Sequence, residues 1–149
     1  MADSIQLFLI RHGIAADRGP AWPDDGKRPL TEKGVARLRR EVKALAALDV
    51  SFDLVLVSPP VTVTDALAPS GTPAQVVEEL GKHTRRRRIA LVGHEPNLGE
   101  LAARLIGSRA AIDFKKGAIC RIDVETLPPS RAGRLRWFAT PRILRALGK

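Results

Sequence analysis

Two histidines in this chain each follow an apolar segment that has the pattern of a buried strand. His12 comes shortly after the segment 5–10, in which five of the six residues are apolar, and His94 comes shortly after the continuously apolar segment 89–92. The carboxyl ends of parallel strands meet at one edge of a sheet, where open α/β folds bind their ligands. We therefore expect His12 and His94 to face each other at such an edge.

The residue before the first histidine suggests phosphate chemistry. Neutral imidazole is a competent nucleophile toward phosphorus, and the neighbouring cation Arg11 favours the uncharged ring of His12. The planar guanidinium of Arg11 could also hold two phosphoryl oxygens at once. The alternatives are a surface arginine and a structural histidine, but the matched placement of His94 favours chemistry.

Four further residues could bind phosphate at this site, and three of them also have a structural explanation. Gly13 brings a flexible backbone to the end of the first strand. Arg28, in the polar loop that follows, could reach the phosphate or anchor the loop through an ion pair. Ser58, after the second predicted strand, could donate to phosphate or cap a turn, and Glu95 could act as an acid or begin the next helix at its positive end.

The composition is that of an ordinary globular domain. The 149 residues are 44% hydrophobic and 28% charged, and this length fits a single domain over 1–149. No apolar run approaches the roughly 20 residues of a membrane span, and the first residues lack the pattern of a signal peptide. Cytoplasm is therefore the expected location. The single cysteine, Cys120, excludes an internal disulfide framework.

The charge favours anionic partners. The formal net charge of +9 comes from 25 Lys and Arg against 16 Asp and Glu, and it would attract nucleic acid, phosphoproteins and small phosphates alike. Only six residues are aromatic, four Phe and two Trp, so a base-stacking platform for nucleic acid is poorly supported. Lys115 and Lys116 could recruit an acidic or phosphorylated substrate, although exposed lysines are usually only solvated.

The order of elements predicts an α/β fold with a mainly parallel central sheet and helices on both faces, a three-layer sandwich. The last two strands form a possible antiparallel edge. The predicted helices cover residues 32–48, 73–83, 96–106 and 142–147. The predicted strands cover residues 5–10, 52–57, 61–64, 89–92, 118–124 and 134–139.

Several short motifs resemble those of one family. The segment Leu9–Gly13, LIRHG, resembles the RHG signature of the histidine phosphatase (phosphoglycerate mutase-like) superfamily, whose nucleophilic histidine is transiently phosphorylated. More narrowly, five segments in order resemble the SixA-type phosphohistidine phosphatases: RHGIA, RPLT with Gly34, LVLVSP, LVGHEP and KKG. The resemblance covers nearly the whole chain.

This resemblance implies a phosphoglycerate mutase-like fold and a site that uses neither a metal nor another cofactor. It implies His12 as the nucleophile, Arg11 as the phosphate clamp and His94 as a second histidine facing the phosphate. The expected substrate is a phosphohistidine on a protein, and the expected product is inorganic phosphate. Two alternative functions stay open. One is a phosphate- or phosphoprotein-binding domain with weak turnover, and the other is a phosphatase of small phosphoesters.

The sequence departs from the family pattern after Ser58. There the family has a helix with a second phosphate-binding arginine, whereas in this chain Ser58 and Pro59 run directly into Pro60 and Val61. Losing one such donor typically lowers the rate by about 10²–10³. Either the chain has a true deletion, or a segment near 58–61 is missing from the sequence. We favour the second interpretation, because a protein without a core-covering helix should fold poorly.

Overall fold

The computed structural model describes residues 4–11, 40, 43–57 and 71–148. Within these residues, five strands form one sheet. The strands are β1 (Ile5–Arg11), β2 (Leu54–Val57), β3 (Arg88–Gly93), β4 (Ile119–Val124) and β5 (Arg134–Ala139). The helices are α1 (described at residues 40 and 43–47), α2 (Pro73–Leu80), α3 (Asn97–Ile106) and α4 (Pro141–Leu147).

The sheet is mixed, in the spatial order β2-β3-β1-β4-β5. β3 pairs in parallel with both β1 and β2, whereas β4 pairs antiparallel with β1 and with β5. The prediction of an α/β fold is confirmed, and the parallel arrangement holds for the three strands β1 to β3. The prediction of a mainly parallel sheet is only partly right, because β4 runs opposite to the other four strands and both of its pairings are antiparallel.

The path of the chain after α3 explains why β4 is antiparallel. The segment that follows α3 runs back alongside this helix, where the backbone N–H of Ile112 donates to the carbonyl of Gly99 at 3.2 Å. It reaches the carboxyl end of β1, where the N–H of Gly117 donates to the carbonyl of Arg11 at 3.2 Å. β4 therefore starts at the end of β1 and runs in the opposite direction.

Two clusters of buried side chains lie on opposite faces of the sheet, because neighbouring residues of a strand point to opposite sides. Leu7 and Leu9 belong to the larger cluster, which side chains of α2 and α3 complete. Ile10 packs against the smaller cluster, whose members come from the other helices and the antiparallel strands: Ala44, Ile119, Ala139 and Leu144. Helices thus cover both faces, as the sequence predicts.

The apolar segments that precede the two histidines are indeed central strands. In β1, Leu7, Phe8 and Leu9 are each at most 1% exposed, so this strand is buried on both faces. In β3, residues 89–91 are fully buried. Burial on both faces explains why these strands are continuously apolar instead of alternating.

Local signals fix the ends of α2 and α3. Thr72 caps α2 in a capping box with Gln75, and Pro73 occupies the first turn. Gly107 ends α3 with φ of +74°, a left-handed conformation that favours glycine. The predicted ends of these helices agree to within three residues. The predicted strand 61–64 and most of the predicted helix 32–48 lie outside the described residues.

Gly99 allows the returning segment to lie close to α3. A Cβ atom at this position would sit 2.1 Å from the carbonyl oxygen of Ile112, which is backbone and cannot rotate away. This contact helps to place the path that makes β4 antiparallel.

We therefore expect Gly99→Ala to lower the free energy of unfolding by about 1–3 kcal/mol through overpacking. Urea unfolding followed by circular dichroism measures this. The matched control is Gly81→Ala, where the residue has helical φ of −62° and the nearest atoms would lie 3.2 Å away. Equal stability of Gly99→Ala and the parent chain would contradict the proposed contact.

An ion cluster joins β4 to β5 near the beginning of β1. Asp123, which is 5% exposed, accepts hydrogen bonds from Arg121 Nε at 2.8 Å and from Arg136 Nε at 2.9 Å. Burial by itself raises the pKa of Asp123, but these hydrogen bonds and the two positive charges outweigh burial and hold it below its ordinary value. Since Asp123 pairs with Gln6, the cluster lies at the far end of β1 from Arg11.

This lowered pKa predicts a pH-dependent contribution to stability. A carboxylate that ionises more readily in the folded chain stabilises it above the unfolded pKa of about 3.9, and this contribution is lost as the pH falls through the folded pKa. We expect Asp123→Asn to be less stable than the parent chain by about 1–3 kcal/mol at pH 7. The difference should shrink below about pH 4, as measured by urea unfolding at several pH values. A difference that is independent of pH would contradict the ionic role.

Candidate active site

The register of the sheet brings the ends of the three parallel strands together. Arg11, the last residue of β1, pairs with Gly93, the last residue of β3, and Val57 at the end of β2 pairs with Val92. His94 directly follows Gly93 and therefore lies beside the end of β1. The carboxyl ends of the parallel strands therefore meet at one edge of the sheet, as the sequence predicts.

Of the predicted site residues, the structure describes three: Arg11, His94 and Glu95. The other four, which are His12, Gly13, Arg28 and Ser58, lie outside the described residues. The junction after Ser58, where the sequence departs from the family pattern, also lies outside them. The roles predicted for these four residues stay predictions.

Arg11 is held from three directions by the turn that precedes β4. Its Nη1 donates to the carbonyl oxygen of the buried Phe114 at 2.5 Å. Its backbone N–H donates to Ala118 at 3.0 Å, and its carbonyl accepts from Gly117 at 3.2 Å. A guanidinium has five N–H donors, so an arginine anchored through Nη1 keeps further donors with which it can bind an oxyanion.

The turn itself places two lysines next to this arginine. The N–H of Ala118 donates to the carbonyl of Lys115 at 2.8 Å, and Gly117 adopts φ of +89°. Lys115 and Lys116 are exposed on the turn. The KKG segment therefore adds positive charge beside Arg11. The anchoring carbonyl of Phe114 has no sequence signal, because every residue carries the same backbone group.

His94 lines a small cleft between the end of β3 and the first turns of α2 and α3. Its backbone carbonyl accepts from Leu98 at 2.8 Å, which fixes the start of α3. Asn97 ties the two helices together, since its Nδ2 donates to the carbonyl of Gly71 at 2.6 Å. The cleft is lined by Thr72, Pro73, Val76, Gly93, His94, Asn97, Leu98 and Leu101. Thr72 and Asn97 are polar residues of this cleft that the sequence did not single out.

Glu95 stabilises the start of α3. Its Oε1 accepts a hydrogen bond from the backbone N–H of Gly99 at 2.7 Å. The first turn of a helix has unpaired N–H groups and a positive dipole end, both of which favour a carboxylate. This is the structural alternative that the sequence analysis left open for Glu95, whereas its predicted contact with phosphate stays a prediction.

We expect Glu95→Ala to lower the free energy of unfolding by about 0.5–2 kcal/mol, because Gly99 loses its acceptor. Glu95→Gln keeps an oxygen acceptor at the same position and should recover most of that loss. Thermal and urea unfolding of the two variants measure the difference. Two equally destabilised variants would show that the negative charge, and not the hydrogen bond, stabilises the helix.

Cys120 and the acidic residues that the structure describes do not form a second reactive site. Cys120 is fully buried in the core, and burial raises the pKa of its thiol to about 12. A thiol of this kind is a poor nucleophile at neutral pH. Over 4–11, 40, 43–57 and 71–148, no three His, Cys, Asp or Glu residues group in a way that could hold a metal ion. In the same part of the chain, no helix is long and apolar enough to cross a membrane.

Comparison with known proteins shows which of them share this sequence or this fold. No protein-family model matches the chain. An uncharacterised protein of Picosynechococcus sp. is 31% identical in an alignment 137 residues long. The match covers 77% of this chain and 82% of the relative. The structure of the protein histidine phosphatase SixA complexed with tungstate superposes with a TM-score of 0.78 at 23% identity, over 93% of this chain and 98% of that one. This chain therefore belongs to the same family as the Picosynechococcus protein and has the fold of SixA.

A second solved structure shows how widely this fold is shared. The α-ribazole phosphatase from Shigella flexneri superposes with a TM-score of 0.65 at 18% identity, over 92% of this chain and 97% of that one. Its TM-score is lower than that of SixA, so the fold of this chain is more similar to SixA than to this second phosphatase.

Proposed function

We propose that this chain is a metal-independent phosphatase that forms a phosphohistidine intermediate on His12 and acts on phosphohistidine carried by a protein. The observation that carries the proposal is the pairing of Arg11 with Gly93. Because His12 follows Arg11 and His94 follows Gly93 in the sequence, we infer that the two histidines lie close together beside the anchored guanidinium of Arg11. The SixA-type fold supports the same assignment.

In the proposed reaction, Nε2 or Nδ1 of His12 attacks the phosphorus atom in line with the leaving nitrogen of the substrate. The bond from phosphorus to the leaving group breaks as the bond to His12 forms. The free donors of Arg11, together with His94, stabilise the charge on the equatorial oxygens. Water then attacks the phosphohistidine, releases inorganic phosphate and restores the imidazole of His12.

The leaving group distinguishes the proposed substrate from a phosphoester. A phosphoester needs an acid to protonate a poor alkoxide leaving group, whereas the imidazole of phosphohistidine leaves more easily. Glu95 Oε1 accepts a hydrogen bond from the backbone N–H of Gly99, so this carboxylate already stabilises the start of α3. The part of the chain that the structure describes also holds no long insertion that would cover the site. Both features suit an exposed phosphohistidine on a protein, and a cytoplasmic location fits such a partner.

A second function is a phosphate- or phosphoprotein-binding domain with weak turnover. One sequence feature favours this binding function: the second phosphate-binding arginine of the family is absent after Ser58. A single anchored arginine can still bind an anion, while the transition state loses one donor. A phosphatase of small phosphoesters is the third possibility, and it requires an acid such as Asp24 or Asp25.

We expect His12→Ala to abolish acid-labile labelling of the protein by a ³²P-phosphohistidine substrate, because the attacking nitrogen is lost. The matched control is His83→Ala, which removes another of the three histidines. His83 lies 3.4 Å from Glu79 beyond the end of α2 and has no proposed role in the reaction, so labelling should persist. His94→Ala should still be labelled, but about 10²–10³ more slowly.

Labelling that survives in His12→Ala would refute His12 as the nucleophile. Binding of a phosphohistidine protein without any hydrolysis by the parent chain would favour the binding domain. Faster hydrolysis of a generic phosphoester than of phosphohistidine would favour the third possibility.

A further inference from the structure

A second cleft, of about 250 Å³, lies between the end of α3 and the loop that connects β4 to β5. Its polar lining comes from Arg104, Arg131 and Ser130. Its apolar lining includes Val77, Leu105 and Pro129. This combination of cationic donors, a hydroxyl and apolar side chains resembles the lining of small-molecule sites in general.

This cleft is separate from the candidate active site. Beside it, the N–H of Gly133 donates to the carbonyl of Leu105 at 2.7 Å, and a Cβ on Gly133 would lie 2.7 Å from the carbonyl oxygen of Asp123. Asp123 pairs with Gln6, near the beginning of β1, whereas Arg11 is at the end of that strand. Five residues of strand, roughly 16 Å, lie between the two positions.

The two arginines of the cleft lack an anionic partner. Both side chains are exposed, and neither forms an ion pair with any residue in the described part of the chain. Arg104 suits the negative end of α3, but this explains neither Arg131 nor the cavity that the two residues share. Two like charges on one small cleft repel, and an anion held by both would remove the repulsion.

The loop that carries Arg131 is held in place by its own contacts. The hydroxyl of Thr126 donates to the carbonyl of Pro128 at 3.0 Å and lies 3.3 Å from the hydroxyl of Ser130. The ring of Pro128 lies within 3.2 Å of where a Cβ on Gly81 would stand. A loop that is already ordered loses little entropy when a ligand binds.

We propose that this cleft binds a small dianion with an apolar substituent, such as an organic phosphate or phosphonate. Arg104 and Arg131 would bind the anionic oxygens. The apolar side chains would contact the substituent. The volume is slightly below that of typical drug-sized pockets, so the ligand is a small molecule and not a folded partner.

The test is a titration of the ¹⁵N-labelled chain with phenylphosphonate, a non-hydrolysable probe, followed by NMR. We expect saturable shifts of the backbone amides at residues 105–107 and 130–133. Inorganic phosphate, used as a second probe, should shift the same amides but bind more weakly, because it makes no apolar contact. Equal affinity for both probes would contradict the apolar part of the proposal.

The variant Arg104→Ala/Arg131→Ala should bind phenylphosphonate at least about tenfold more weakly at these amides, since two charged hydrogen-bond donors are lost. The matched control is Arg85→Ala/Arg142→Ala, which removes two other exposed arginines and should leave the affinity unchanged. Arg11→Ala should also leave it unchanged, because Arg11 belongs to the other site. Absence of saturable shifts, or equal shifts in the Arg104→Ala/Arg131→Ala variant, would overturn the proposal.

Discussion

The parallel pairing of β1 with β3 is the constraint on which the rest of this molecule depends. Hydrogen bonds between the strands fix the register from Gln6 to Arg11, and burial on both faces prevents one strand from sliding along the other. A shift by one residue would turn the side chains of Leu7 and Leu9 away from the larger core cluster. The same register that fills the core also brings Arg11 beside Gly93, so the geometry of the site is a consequence of the packing.

The turn between residues 114 and 118 supplies the other contacts that position Arg11. A strand end alone would leave Arg11 free to sample many rotamers, and a clamp for an oxyanion works best when its donors are already in place. The buried Phe114 supplies a carbonyl that accepts from the guanidinium. The antiparallel direction of β4 is what brings this turn to the end of β1, so the mixed sheet has a direct effect on the site.

Basic residues of the described part of the chain lie near both ends of β1. Arg11, Lys115 and Lys116 lie at the carboxyl end of β1. At the other end, Asp53 accepts from the backbone N–H groups of Arg87 and Arg88 at 2.8 and 3.0 Å, and Arg88 Nη1 donates to Ser51. Arg87 and Arg88, two members of the run of four arginines at 85–88, thus have structural contacts. The formal net charge alone could not distinguish arginines of this kind from those that line a cleft.

Much of the fold and part of the site could be predicted from the sequence, because they depend on local patterns. Continuous apolar runs identified β1 and β3 as buried strands, and Pro73 and Gly107 indicated the start of α2 and the end of α3. The RHG and VGHEP motifs carried the family resemblance and marked the two strand ends that meet. The tertiary structure alone decided that β4 pairs with β1 and that the carbonyl of Phe114 anchors Arg11. These features depend on contacts between residues far apart in the chain or on backbone groups that every residue shares, and neither leaves a pattern in the sequence.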